Sequence, residues 1–329
     1  MIRHAAIIGT GSYLPENRTT NDDMAKLVET SDEWIASRTG IRERRISTGE
    51  NTSDLAYEAG KKALANAGLK PEDLELIICA TISPDSFMPS VACIVQEKLG
   101  AVKAAAFDIT AACSGMVYGI AIATAFIENG MYQNILVIGA ETLSKALDWT
   151  DRSTCVLFGD GAGAVVIQSS DSAGGIMAVN LLSDGSKQDY LCLPGLPLAN
   201  PLVPSNGEGR QVITMKGQEV FKFAVRSIQE NIKTILEKAS LQKEDIRYIV
   251  AHQANCRILE QAAKSSGIEL ERFFMNLDRY GNTSAATIGI ALDEMNANNM
   301  LHDGDKIILV GFGGGMTSGA VLVDWKSIK

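Results

Sequence analysis

The chain lacks the cysteine and histidine spacing of a disulfide scaffold or a metalloprotein. Its six cysteines, at 79, 93, 113, 155, 192 and 256, form no C-x-x-C pair, and its three histidines, at 4, 252 and 302, are scattered. Neither bridges nor a metal centre is therefore expected. It also lacks an apolar run of membrane length. The candidate at 111–127 contains Ser114, Gly115, Gly119 and Thr124 and is bounded by Asp108 and Glu128, which suits a helix buried in a large core better than a bilayer span. No low-complexity tract interrupts the 329 residues, and 46% hydrophobic with 21% charged residues is the composition of a soluble globular protein. The basic excess of a nonspecific nucleic-acid binder is missing. The net charge is −9, so an acidic partner needs a local basic patch. The N-terminus has neither signal-peptide nor transit-peptide character, and a cytoplasmic location is the expectation. Gly9-Thr10-Gly11 lacks the third glycine of a dinucleotide fingerprint, and Pro15 interrupts the helix such a motif requires.

What is present is a duplication. Segment 69–80 recurs 172 positions on as 241–252, segment 135–139 recurs at the same offset as 307–311, and 158–166 is matched more loosely by 312–321. Each half alternates apolar strand runs with helical patterns, which predicts an α/β protein of two related halves, 1–170 and 171–329. Two mixed sheets sandwiching buried helices are expected, with the apolar stretch after Cys113 in the middle layer. The irregular segment 183–215, which holds four of the eight prolines, reads as a lid or binding surface.

Chemistry is suggested first by Cys113, placed where the short apolar run 107–109 passes into a long uncharged helical stretch. A thiol at a helix N-terminus faces unpaired backbone N–H groups, which lower its pKa and favour thiolate. A cysteine in an apolar run is most often structural. Here Ala111, Ala112, Ser114 and Gly115 are small enough to admit a ligand, and the arrangement suggests covalent acyl transfer. Equivalent strand ends of two halves would converge on one site, and polar departures mark those ends. His252 follows Ile249-Val250-Ala251 where its repeat partner is Ala80, and Asn282 lies close to the repeat equivalent of Cys113. Alone, each is commonly a rim residue or a turn. The run Gly311-Phe312-Gly313-Gly314-Gly315 can turn tightly or expose N–H groups to an oxyanion.

Together with 9–15, 30–35, 38–44, 111–113, 158–164, 252–255 and 281–284, these residues resemble the β-ketoacyl-acyl carrier protein synthase III family over essentially the whole length. The resemblance implies a thiolase-like duplicated αβαβα five-layer sandwich, with two mixed sheets around buried helices. It implies an acyltransferase that performs a decarboxylative Claisen condensation of an acyl-CoA primer with malonyl-acyl carrier protein. The products are 3-oxoacyl-acyl carrier protein, CoA and carbon dioxide, and the step begins fatty acid synthesis. A starter-condensing relative from polyketide or quinolone biosynthesis would keep the same motifs. A thiolase would carry a second cysteine in its glycine motif, which 311–315 lacks, and elongating synthases replace the asparagine by histidine.

The same resemblance implies a triad of Cys113, His252 and Asn282, with backbone oxyanion donors on Cys113 and Gly314. CoA maps onto Trp34, Arg38, Arg152, Met215, Phe221, Ala254 and Asn255, and the acyl pocket onto Met88, Leu143 and Phe158. Lys222, Arg226 and Lys233 share a helix face that, with Arg257, suits an acidic carrier protein. No metal or cofactor is implied beyond the CoA thioester substrate, and the expected assembly is a homodimer whose active sites borrow from each other. Where the family commonly has Phe before the Pro-Ser that caps the partner's acyl pocket, this chain has Met88, which leaves acetyl, longer and branched primers open.

Overall fold

The computed structural model describes residues 3–171, 174–198, 200–202 and 211–328. Apolar runs rich in β-branched residues form the strands of two sheets. In chain order these are β1 (His4–Tyr13), β2 (Leu76–Ala80), β3 (Ala105–Ile109), β4 (Asn134–Glu141), β5 (Gly161–Ser170), β6 (Gly175–Ser183), β7 (Ile246–Ala251), β8 (Lys306–Gly313) and β9 (Thr317–Asp324). The first sheet has the order β1-β5-β4-β2-β3 and the second β6-β9-β8-β7. Both begin with two antiparallel pairings and continue in parallel. Where the first sheet has β3, the second has a single parallel bridge between Phe273 and Ile249.

The helices used below are α1 (Asp32–Thr39), α2 (Thr52–Ala67), α3 (Val91–Leu99), α4 (Gly115–Glu128), α5 (Gly217–Ala239), α6 (Cys256–Ser266) and α7 (Thr287–Ala297). Strand alternation builds the layers. Leu76 and Ile78 of β2 face a central core with Met116, Ile120, Ile288 and Leu292, whereas Ile77 and Cys79 face the outer cluster of α2 and α3. Ile307 and Leu309 of β8 face the same central core, and Ile308 and Val310 face α5 and α6. The central helices α4 and α7 each contact both sheets. The expected five layers are therefore present, and the Cys113 helix is in the middle one. No helix among the described residues is long and apolar enough to cross a membrane.

The duplication keeps its register down to single turns. β4 and β8 start 172 residues apart, as do the 3₁₀ turns Ala112–Ser114 and Ser284–Ala286 and the helices α4 and α7 that follow them. The structural equivalent of Cys113 is thus Ala285, and Asn282 stands three residues earlier. Close approach of the second turn to β4 requires a glycine: a Cβ on Gly139 would lie 2.1 Å from the carbonyl oxygen of Ala285. Gly139→Ala is expected to cost about 2–3 kcal/mol of stability by overpacking, read from urea unfolding, and to displace the turn that carries Asn282.

Candidate active site

The strand ends do converge. Cys113, His252 and Asn282 open on one cavity of about 150 Å³, which Phe158, Met215, Phe221, Ala254 and Asn255 also line. Leu191, Val220, Ile258 and Phe312 extend its apolar wall. Leu191 and Met215 come from the two ends of the irregular segment, which pair antiparallel as Leu191–Cys192 with Thr214–Met215. The segment's two ends thus form part of the cavity wall, while its residues 199 and 203–210 lie outside the described ones.

Three left-handed residues lie in the mutually contacting 3₁₀ turns at the site, Ala112 at φ 46° in the turn of Cys113, Ser284 at φ 50° in Ser284–Ala286 and Met316 at φ 47° in Gly314–Met316. Non-glycine residues rarely sit there, and such strain concentrates at functional sites. The end of β8 presses against the nucleophile turn, because a Cβ on Gly313 would lie 2.6 Å from the Cys113 nitrogen. Gly313 lines the cavity. Gly314, the expected oxyanion partner, is not among the lining residues and packs instead against Ala112 and the Leu191 carbonyl.

Cys113 departs from the expected thiolate. Only 5% of the residue is exposed, and burial pushes the thiol up to about 12, against a lowering hydrogen bond from Ser284. Desolvation outweighs the helix terminus because the largest charge acting on the sulfur is the anionic Glu141 rather than a cation. His252 is also buried and neutral, its pKa pushed down to about 3 by desolvation. Its Nδ1 lies 2.7 Å from Thr287 Oγ1, and the Thr287 hydroxyl donates to the Ser284 carbonyl at 3.0 Å. Only a hydrogen on Nδ1 satisfies both contacts, which leaves a lone pair on Nε2. Phe312 holds the ring edge-on at 5.0 Å. Asn282 Oδ1 accepts the Ser284 N–H at 2.9 Å, so its NH₂ is the end available to donate into the cavity.

Glu141, at the end of β4, was not singled out from the sequence. It is fully buried and accepts from Thr81 Oγ1 at 3.1 Å, from Ser83 Oγ at 2.5 Å, from the backbone of Ile82 and Ser83, and from Ser284 Oγ at 3.0 Å. Burial raises its carboxyl to about 7. The readable signal was an acid closing the apolar run 135–140. Thr287, which orients His252, carried no comparable signal.

The remaining predicted residues divide into an outer cluster and a surface. The guanidinium of Arg38 lies 4.6 Å and that of Arg152 5.1 Å from the Trp34 ring centroid. Asn255, which caps α6, reaches from the cavity wall to the Arg38 carbonyl at 3.1 Å, and Arg257 bonds the Ser37 carbonyl at 2.6 Å. The charges along α5 are paired within the helix: Lys222 with Glu219 at 2.8 Å, Arg226 with Glu230 at 2.7 Å and Lys233 with Glu237 at 3.8 Å. Exposed pairs of this kind are worth only about 0.3–0.5 kcal/mol and open easily for a partner. Leu143 is buried beside Phe158, whereas Met88 is 87% exposed and does not line this cavity.

Comparison with known proteins agrees with the geometry. Residues 107–185 match the family described as 3-Oxoacyl-[acyl-carrier-protein (ACP)] synthase III, and residues 236–325 match its C-terminal counterpart. The chain is 54% identical over 319 residues to the beta-ketoacyl-[acyl-carrier-protein] synthase III of Clostridium acetobutylicum, covering 97% of this chain and 98% of that relative. It is 53% identical over 322 residues to the protein of the same name from Clostridium perfringens strain SM101, covering 98% and 99%. Among solved structures it resembles the 3-oxoacyl-[acyl-carrier-protein] synthase III of Aquifex aeolicus VF5, with a TM-score of 0.91, 48% identity, and 98% and 100% of the two chains covered. The priming beta-ketosynthase of the R1128 polyketide pathway superposes with a TM-score of 0.92 at 30% identity, covering 99% and 98%.

Proposed function

The chain belongs to the beta-ketoacyl-[acyl-carrier-protein] synthase III family, and from that membership we propose how its own residues divide the work. The enzyme is an acyltransferase that condenses an acyl-CoA primer with malonyl-acyl carrier protein, the initiating condensation of fatty acid synthesis. In our reading Cys113 is the nucleophile. Its thiolate attacks the thioester carbonyl, the tetrahedral oxyanion rests on backbone N–H groups of Cys113 and the 313–314 turn, and the bond to CoA sulfur breaks. The malonyl thioester then loses carbon dioxide. Its electron pair passes into an enolate whose oxygen is held by the Asn282 NH₂ and by His252, and the carbanion attacks the acyl group, releasing Cys113. One preorganised donor is worth about 3 kcal/mol to such an oxyanion. For His252 to act as a donor, the Thr287 hydroxyl must turn to Nδ1 and the ring must carry its hydrogen on Nε2.

The observation that carries this reading is the meeting of Cys113, His252 and Asn282 on one cavity. Loss of carbon dioxide supplies the carbanion, so the chemistry asks for no cofactor. We place CoA across the outer cluster, where adenine would take the face of Trp34 now covered by Arg152. Trp34→Ala should raise the KM for acyl-CoA about tenfold, roughly 1.4 kcal/mol, with kcat within about twofold, in steady-state assays at saturating malonyl-acyl carrier protein. A fall in kcat with unchanged KM would remove CoA from this position.

We assign the acyl chain to the wall at Phe158, with Leu143 behind it, and the carrier protein to Lys222, Arg226 and Arg257. Phe87 and Met88, 72% and 87% exposed, support a homodimer in which this apolar loop serves the partner's pocket, and we take the enzyme to work in the cytoplasm. The common strand order of the two sheets supports dividing the chain into 1–170 and 171–329.

A further inference from the structure

The two halves of the chain put different side chains at matching places. At the offset of 172, Ala112 corresponds to Ser284 and Gly313 to Glu141. Ala112 and Ser284 share the left-handed backbone, at φ 46° and φ 50°. The strand ends cross over: the end of β8 packs on the turn of Cys113, and the end of β4 on the turn of Ser284. The nucleophile turn therefore meets a glycine that leaves backbone free beside Cys113. The second turn meets an acid instead, and Ser284 Oγ donates to Glu141 Oε1 at 3.0 Å. We propose that Glu141 is a positioning residue for decarboxylation, fixing through Ser284 both side chains that receive the enolate. The proposal rests on the reading of Asn282 and His252 as that pair.

Ser284 is bonded through each of its polar groups. Its N–H donates to Asn282 Oδ1 at 2.9 Å, which settles the end of the amide that faces the cavity. Its carbonyl accepts the Thr287 hydroxyl at 3.0 Å, and Thr287 Oγ1 lies 2.7 Å from His252 Nδ1, which sets the imidazole. A shift of the Ser284 backbone would displace both enolate donors together. The hydroxyl opposes such a shift. A left-handed serine is strained and persists only where its surroundings hold it, and Glu141 supplies the hold.

Glu141 is itself fixed from the other half. Four of its five donors, Thr81 Oγ1, Ser83 Oγ and the N–H groups of Ile82 and Ser83, come from the segment that follows β2. Glu141, Ser83 and Ser284 are all buried, where a satisfied polar network is stiff and no solvent replaces a lost partner. Acylation makes no comparable demand on this network. Its oxyanion rests on backbone groups of Cys113 and the 313–314 turn, so removing the tether should separate the two half-reactions.

Ser284→Ala tests this, since Ala112 already holds an alanine at the same backbone conformation. Carbon dioxide release from malonyl-acyl carrier protein, followed without acyl-CoA, should fall about 10²-fold in kcat, the scale of a misplaced catalytic group. The KM for the malonyl substrate should stay within about twofold and acylation of Cys113 within about tenfold. In an Asn282→Ala background the same change should cost less than about tenfold, because one of the two donors it places is already gone. Ser284→Gly, unstrained at this φ, serves if Ser284→Ala does not fold. Glu141→Gln keeps a tether, its amide oxygen taking the donors of 81–83 and its NH₂ donating to Ser284 Oγ, and should release carbon dioxide within about tenfold of wild type. If Glu141→Gln does not fold, the Ser284 variants decide. Equal losses in both half-reactions, an undiminished cost on top of Asn282→Ala, or a large loss in folded Glu141→Gln overturns the proposal. If the reading of the enolate pair is itself wrong, Asn282→Ala alone will release carbon dioxide at the wild-type rate.

Discussion

Cys113→Ala is expected to keep the fold and lose condensation by about 10⁴-fold or more, the scale on which a covalent nucleophile is lost. The substitution removes one sulfur atom at a cavity wall, so the melting temperature should stay within a few degrees. Without sulfur no acyl-enzyme can form. Asn282 and His252 do not require the thiol, and Cys113→Ala should still release carbon dioxide from malonyl-acyl carrier protein, measured without any acyl-CoA present. A variant that neither acylates nor decarboxylates, yet melts normally, would mean that the sulfur also positions the malonyl group.

The reverse dissociation is expected at Asn282. Asn282→Ala removes the donor aimed at the enolate and should slow decarboxylation and condensation by about 10²–10³-fold, matching the loss of one oxyanion donor of about 3 kcal/mol. Acylation of Cys113 should stay within about tenfold, because the first tetrahedral oxyanion rests on backbone groups. Single-turnover acylation and carbon dioxide release, measured separately, check this. The acylation term will not be untouched, since Asn282 Oδ1 also anchors the Ser284 backbone N–H at 2.9 Å. Equal losses in both half-reactions would make Asn282 a structural support of the turn.

Much of the architecture was legible because duplication is a pattern in the chain itself. The 172-residue offset seen between 135–139 and 307–311 is the offset between β4 and β8 and between the turns that carry Cys113 and Ser284. The convergence of His252 and Asn282 on Cys113 followed from the same symmetry. What the sequence concealed is the electrostatics. A helix start after Cys113 suggested a thiolate, but depth and the charges facing a sulfur are tertiary properties, and here burial raises the thiol beside Glu141. Thr287 looked like an ordinary helix residue, yet its hydroxyl fixes the resting tautomer of His252. The basic residues of α5 were readable as a face, but their pairing with Glu219, Glu230 and Glu237 needed side-chain geometry.

The most direct measurement is the intact mass of the protein after mixing with acetyl-, isobutyryl- or octanoyl-CoA, followed by malonyl-acyl carrier protein. The account predicts one acyl mass on wild type and none on Cys113→Ala, discharged when the malonyl substrate arrives, and the chain that loads best names the primer. An adduct that persists on Cys113→Ala, or no adduct with any of the three, would contradict covalent catalysis at Cys113.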